Sequence, residues 1–346
     1  RDCLLSRGLG DVYKRQIDGV SGDETAVREA VIEKIKDVCD DYHTDNLGSL
    51  ICFKKGRKTP AKKLMICAHM DEVGFIVTAI NGDGTLAFDM VGGVDPSVTI
   101  GRQVIVGKER ISGVVGSTAV HNLSKEQREK APKMSEMYID IGADSKEDAE
   151  KYVSLGDCVY FCSEFVQLGE RRIRSKAIDD RAGCAMMIRL MNEELEYDTY
   201  FVFNVQEEIG LRGSRVSATA VAPDFAIVLE STTAADIDGA DGAKKVCSLG
   251  GGPVVSFMDR STVYDKELYR LAFDLAKEEN IPCQTKTRVA GGNDAGAIHI
   301  SGTGVRTIAV SVPCRYLHSP SSVIETADLE SSYTLVKALA KRIPQL

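Results

Sequence analysis

From residue 17 to residue 80 the apolar positions first recur with helical spacing and then gather into short runs. Ser21-Gly22-Asp23-Glu24 opens the helical stretch. A serine followed three residues later by a glutamate is a capping-box pattern, and the helix it predicts runs to about Cys39. Residues 43–54 read as a hairpin turning at Asn46-Leu47-Gly48. Leu64–Ala68 is a continuous apolar run, hence a buried strand, and it leads straight into His69. Val73–Ile80 is a second strand, closed by the turn residues Asn81-Gly82-Asp83-Gly84. Between 81 and 171 the texture is β throughout. Leu86–Met90, Gln103–Val106, Ile111–Val115, Met137–Ile141 and Cys158–Cys162 lie between glycine-rich turns, with one polar helical piece at Lys125–Lys130. From 172 on, helices and strands alternate: an amphipathic helix Arg181–Leu195, strands Thr199–Gln206 and Phe225–Glu230, a helix Lys266–Glu279, a strand Arg306–Val312 and a closing helix Ala327–Arg342. That alternation predicts an α/β fold with a mixed, mainly parallel sheet covered by helices on both faces. The expected organisation is one α/β domain built from residues 17–80 and 172–346, with a β domain, residues 81–171, inserted into it.

Composition narrows the possibilities. The chain has 346 residues with 43 Lys+Arg against 51 Asp+Glu, a net charge of −8. An acidic balance argues against a nucleic-acid partner, which selects basic faces. The apolar runs are far shorter than the ~20 residues a membrane helix requires, so no membrane partner is expected. Ten cysteines occur without a CxxC pair. Several fall inside apolar runs, as expected for reduced, buried thiols of a cytoplasmic protein. Residues 1–16 stand apart: Asp11–Gln16 is what the library-adaptor sequence GAT GTG TAT AAG AGA CAG would encode, so this segment is expected to be non-native and is set aside.

The candidate chemistry sits at strand ends, where open α/β sheets bind ligands. His69 and Asp71, two residues apart, share a face of extended chain, so the carboxylate can orient the imidazole. Alone, this pair is also compatible with a solvated strand end. Glu207 and Glu208 follow the apolar run Thr199–Val205. Adjacent carboxylates ending a buried strand are costly without a cation or proton, and one can bind a metal while the other acts as a base. Asp179 and Asp180 precede a helix that either could merely cap. Glu230 ends a strand and His318 follows one. Together His69, Asp179, Glu208, Glu230 and His318 offer two imidazoles and three carboxylates, enough for two divalent metal ions sharing a carboxylate. The mixed N/O set suits Zn, Co or Mn better than Ca or Mg. Glu207 is then left for proton transfer.

Five ordered motifs, AHMDEVGF (68–75), KAIDDRAG (176–183), QEEIGLRGS (206–214), GGNDAG (291–296) and PCRYLHSP (313–320), make the chain resemble metallopeptidase family 42 from Ile17 to its end. These are dinuclear-metal aminopeptidases that include glutamyl, deblocking and tetrahedral (TET) enzymes. The resemblance implies that His69 and Glu230 bind one metal, Glu208 and His318 the other, and that Asp179 bridges them. It further implies that Asp71 orients His69, that Glu207 is the general base, and that Asp294 and Gly292 lie near the substrate. The β insert would be a PDZ-like domain used in oligomer contacts, in a dodecamer or its dimer building block, and the substrates would be short peptides cut at a free N-terminus. Acidic, aliphatic and basic N-terminal preferences all occur among such enzymes. Two positions depart from the family pattern: Glu230 where Asp is frequent, and Asn293 where Thr is usual. A glycoside hydrolase using Glu207 and Glu208 fits poorly, because its two carboxyls should flank the sugar bond ~5 Å or more apart and the chain has no Trp for a sugar platform. A non-catalytic scaffold would have lost members of the ligand set, and none is missing.

Overall fold

A computed structural model describes residues 17–237 and 239–346. The segment 1–16, expected to be adaptor-derived, lies outside the described residues. The strands, in chain order, are β1 (Asp41–Thr44), β2 (Leu50–Lys54), β3 (Leu64–His69), β4 (Gly74–Ile80), β5 (Leu86–Val91), β6 (Gln103–Val106), β7 (Ile111–Ser117), β8 (Met137–Asp140), β9 (Cys158–Phe161), β10 (Val166–Leu168), β11 (Arg172–Ser175), β12 (Thr199–Asn204), β13 (Phe225–Thr233), β14 (Val254–Val255), β15 (Gln284–Thr285), β16 (Arg306–Cys314) and β17 (Ser322–Glu325). The longer helices are α1 (Thr25–Ile35), α2 (Ile178–Met191), α3 (Arg212–Val221), α4 (Lys266–Glu278) and α5 (Thr326–Arg342).

Eight strands form the central sheet in the order β1-β2-β12-β3-β13-β16-β14-β15. Its middle is parallel: β12, β3, β13 and β16 pair in one direction, flanked by antiparallel β2 and β14. Residues alternate between two cores. Leu64, Ile66, Phe201, Phe203, Ile227, Val310 and their like face a core shared with α1, α2, α4 and α5. Met65, Cys67, Val202, Val228 and Ala309 face the opposite core, under α3 and the short helix Ala295–Ile298. Because both faces are buried, these strands read as unbroken apolar runs. The mixed α/β architecture matches the sequence expectation.

The second body is a closed antiparallel barrel, β4-β5-β8-β7-β6-β9. Phe75 is central to it, with Phe88 and Phe161 edge-on at centroid distances of 5.0 and 5.1 Å. The boundary expected after residue 80 is therefore misplaced. β4 pairs with β5 and β9, so the Asn81–Gly84 turn is a hairpin inside the barrel. At the other end, β10 and β11 have already left the barrel and join β17 in a three-stranded sheet.

Three local expectations also change. The capping box at Ser21 does not form: the Ser21 hydroxyl donates to Asp71 Oδ2 at 2.5 Å, and Glu24 Oε1 accepts from Gly22 N and Gln206 N. Helix α2 is buried on nearly all sides, between the sheet and the outer helices, so it carries no polar face. Strand β13 continues three residues past Glu230, because β16 pairs with it as far as Thr233. Helix α3 carries few large apolar residues and had no clear sequence signal.

Candidate metal centre

The parallel strands end on one side of the sheet, and the chemistry gathers there. His69 is the last residue of β3. Glu230 extends beyond the stretch of β13 that pairs with β3. Glu207 and Glu208 follow β12 across a turn whose Gln206 has φ +56°. Asp179 and Asp180 form the first turn of α2 after left-handed Ala177, and their shared peptide is cis. His318, itself left-handed at φ +57°, follows β16. Left-handed non-glycine residues are uncommon and tend to persist where the surroundings enforce them, often at functional sites.

Asp179 stands between the two histidines. Its Oδ1 lies 3.3 Å from His69 Nε2 and its Oδ2 lies 3.4 Å from His318 Nε2. Glu230 Oε2 is 3.8 Å from His69 Nε2, and Glu208 Oε2 is 3.4 Å from His318 Nε2. The far ring nitrogens are also engaged: His69 Nδ1 faces the Asp71 carbonyl at 3.0 Å, and His318 Nδ1 the Gly93 carbonyl at 2.8 Å. Three overlapping groups have ligand atoms within 4.8 Å of one another: His69/Glu207/Glu208, His69/Asp180/Glu230 and Asp179/Glu208/His318.

The electrostatics are those of an anionic cage. Burial pushes the Glu207 and Glu230 carboxyls well up, and neighbouring carboxylates add to it. Burial raises Glu208 to about 7, with Asp179 adding to the rise and His318 opposing it. Burial disfavours the His69 imidazolium, yet Asp179 and Asp71 outweigh it and hold that pKa well above the usual value. His318 rises to about 9 for the same reason, through Asp179 and Glu208. Buried oxygens without a hydrogen-bond partner include Asp179 Oδ1, Asp180 Oδ2 and Glu230 Oε1. Orphaned buried carboxylate oxygens are expensive, and a cation satisfies several at once. The donor set thus fits metal.

The M42 glutamyl aminopeptidase family model matches residues 48–335. The chain belongs to the M42 glutamyl aminopeptidase family. It is 42% identical to a putative aminopeptidase of Acetivibrio thermocellus over 94% of this chain and 95% of the relative. Among solved structures, it superposes on the Pyrococcus horikoshii TET1 peptidase, described as assembling into a tetrahedron or a large octahedral shell, with a TM-score of 0.85, 34% identity and coverage of 98% and 99%. It also matches a Thermotoga maritima protein described as an endoglucanase, with a TM-score of 0.79, 38% identity and 97% of each chain covered. As an M42 enzyme the chain is a metal-dependent aminopeptidase, a hydrolase of peptide bonds.

Within this M42 site the two members of each adjacent acidic pair have different surroundings. Asp180 Oδ1 accepts from Gly183 N at 2.9 Å, the helix-capping reading, while Asp179 faces the histidines. Glu207 lines the open cleft together with Glu230 and Gly292. Asp294 is fully buried, accepts from Asn204 Nδ2 at 2.8 Å and is not part of the cleft wall. Asn293 turns away as well, hydrogen-bonding the Tyr264 hydroxyl and Ala295 N. His299 bonds the Ala295 carbonyl within its own turn.

Sequence reading missed what Asp71 does beyond His69. Its Oδ1 accepts from Glu207 N at 3.0 Å and its Oδ2 from Glu208 N at 3.1 Å, so one buried carboxylate holds both the His69 ring and the Glu207-Glu208 turn. Asp71→Asn should lower metal affinity and kcat by about 10–100-fold, the usual loss for a group that orients a ligand. Titration calorimetry and steady-state kinetics check this; unchanged affinity and rate would refute it.

Proposed function

We propose that this aminopeptidase holds two divalent metal ions, Zn, Co or Mn, one on His69 and Glu230, the other on Glu208 and His318, with Asp179 shared. The observation that carries this is the division of Asp179, one oxygen toward each imidazole. Bound there, the ions would supply Lewis acidity for the scissile carbonyl and a water of lowered pKa. The remaining work falls to the chain. Glu207, free on the cleft side and fixed at its backbone by Asp71, takes the proton of the attacking water and delivers it to the leaving amine. Asp71 fixes the ring of His69, and the Gly93 carbonyl fixes that of His318.

The substrates are short peptides with a free N-terminus. The barrel serves as a PDZ-like oligomerisation domain in a dodecamer or its dimer building block, a reading supported by the assemblies described for the Pyrococcus relative. The cytoplasm is the proposed location, supported by nine free cysteines among the described residues. The likeness to a protein described as an endoglucanase favours a second reading, glycan hydrolysis. Against it stand the adjacency of Glu207 and Glu208 and the absence of Trp. Metal-loaded enzyme should release nitroaniline from L-aminoacyl-p-nitroanilides, leave their N-acetyl forms intact and release no reducing sugar from carboxymethylcellulose. Cleavage of blocked substrates or of the glucan would overturn the proposal.

A further inference from the structure

The turn that carries Glu207 and Glu208 presents three consecutive peptide N–H groups, and each ends on a carboxyl group. Glu207 N donates to Asp71 Oδ1 and Glu208 N to Asp71 Oδ2. Gln206 N donates to Glu24 Oε1 at 3.1 Å, a contact that spans 182 residues of sequence. The same oxygen accepts from Gly22 N at 2.8 Å. Gln206 is left-handed at φ +56°, and successive N–H groups in such turns form anion-binding concavities. The carbonyls are held too. Arg212 N donates to Gln206 O at 3.1 Å, and Gly210 N and Leu211 N both donate to Glu207 O at 2.9 Å. Every backbone polar group of Gln206 and Glu207 is therefore engaged.

Glu24 is itself a fixed point. It immediately precedes α1, and its carbonyl accepts from Arg28 N at 2.9 Å. Val27, Val31 and Ile35 seat that helix in the core under the sheet. Just upstream, Ser21 N donates to the Glu72 carbonyl at 3.3 Å, and the Ser21 hydroxyl donates to Asp71. Asp23 accepts from the hydroxyl of Tyr160 on barrel strand β9, and Asp18 accepts from Lys176. Glu24 is buried, yet its carboxyl makes no capping bond to the helix it precedes. Burying such a group is costly unless its hydrogen bonds are made elsewhere, and here they are made to Gly22 and to the Gln206–Glu208 turn.

We propose that Glu24 is a positioning residue for proton transfer, its Oε1 fixing Gln206 N so that Glu207 is presented to the reacting water. The inference rests on Glu207 being the general base and adds the group that holds the entry to its turn. Asp71 grips that turn only at Glu207 and Glu208. Without Glu24 Oε1 the Gln206 N–H loses its partner, and a left-handed glutamine persists only where its surroundings enforce it. A displacement of about 1 Å in a reacting group can cost on the order of 10²-fold in rate. The task needs an acceptor rather than a charge, since one oxygen takes both N–H groups. Glutamine at this position keeps such an oxygen at the same reach. Aspartate keeps the charge and draws the oxygen back by one methylene.

The test assays metal-loaded wild type, Glu24→Asp, Glu24→Gln, Glu207→Gln and Val31→Ala on whichever of L-Glu-, L-Leu- and L-Lys-p-nitroanilide the wild type cleaves fastest. Metal content and melting temperature are measured beside kcat and KM. Glu24→Asp should lose about 10–100-fold in kcat at full metal content, with KM little changed. Glu24→Gln should stay close to wild type. Val31→Ala leaves a cavity about two turns further along α1, and should lower the melting temperature without lowering kcat. Glu24→Ala, which removes the oxygen altogether, gives the same reading if Glu24→Asp does not fold. An unchanged kcat in Glu24→Asp, an equal loss in Glu24→Gln, a loss that follows metal content, or one that Val31→Ala matches would overturn the role of Glu24. Normal turnover by Glu207→Gln would instead remove the base itself, and this inference with it.

Discussion

Glu207→Gln should retain its full metal content and lose at least ~100-fold in kcat, with KM little changed. Gln keeps the size of the side chain and its backbone contact to Asp71, so the turn that presents it should survive. What it removes is the ability to accept a proton, and positioned proton transfer typically contributes ~10²–10⁴-fold. The side chain lines the open cleft and, among the described residues, no hydrogen bond holds its carboxyl elsewhere, so it can reach a bound water. Metal analysis beside steady-state kinetics separates the two explanations of a loss. A variant that turns over normally would remove Glu207 from the mechanism, and one that lost metal would make it a ligand.

Chelation should abolish aminopeptidase activity, and Zn or Co should restore it. The same treatment should change the dependence of stability on pH. In the metal-free protein Glu208 is raised from 4.5 to about 7 and His318 from 6.5 to about 9. Between its unfolded and folded values each group binds more protons in the folded chain than in the unfolded one. Stability therefore falls as pH rises, across about 4.5–7 for Glu208 and 6.5–9 for His318. Asp71 and Asp179 are depressed below 3.8, so their contribution is lost only in stronger acid. The stripped protein should thus be most stable in mild acid and lose on the order of 5 kcal/mol by pH 8.5, about half from each group. Saturating Zn replaces those protons with cations and should flatten the decline. Urea midpoints at pH 5 and pH 8.5, with and without chelator, check this; a metal-free protein that gained stability toward pH 8.5 would contradict it.

The sheet strands were legible because burial on both faces leaves long apolar runs, as in Leu64–Ala68 and Phe225–Leu229. Four of the ligand candidates drew notice because each stands at or shortly after the end of such a run, whereas Asp179 begins a helix. What stayed hidden is instructive. Ser21 and Glu24 have the spacing of a helix cap, but Asp71 and the Gln206 backbone claim them through contacts about fifty and 182 residues away in sequence. Val73–Ile80 has the texture of any strand, and only its partners reveal that it belongs to the barrel. Helix α3 is made largely of small and polar residues, so its periodicity carried little signal.

The contact between His318 Nδ1 and the Gly93 carbonyl crosses from one body to the other, since Gly93 follows β5 of the barrel. A surface module that only mediated assembly could be excised, leaving a minimal hydrolase behind. Here excision would free an imidazole to rotate. A change in the orientation of the barrel would reach His318 through that carbonyl.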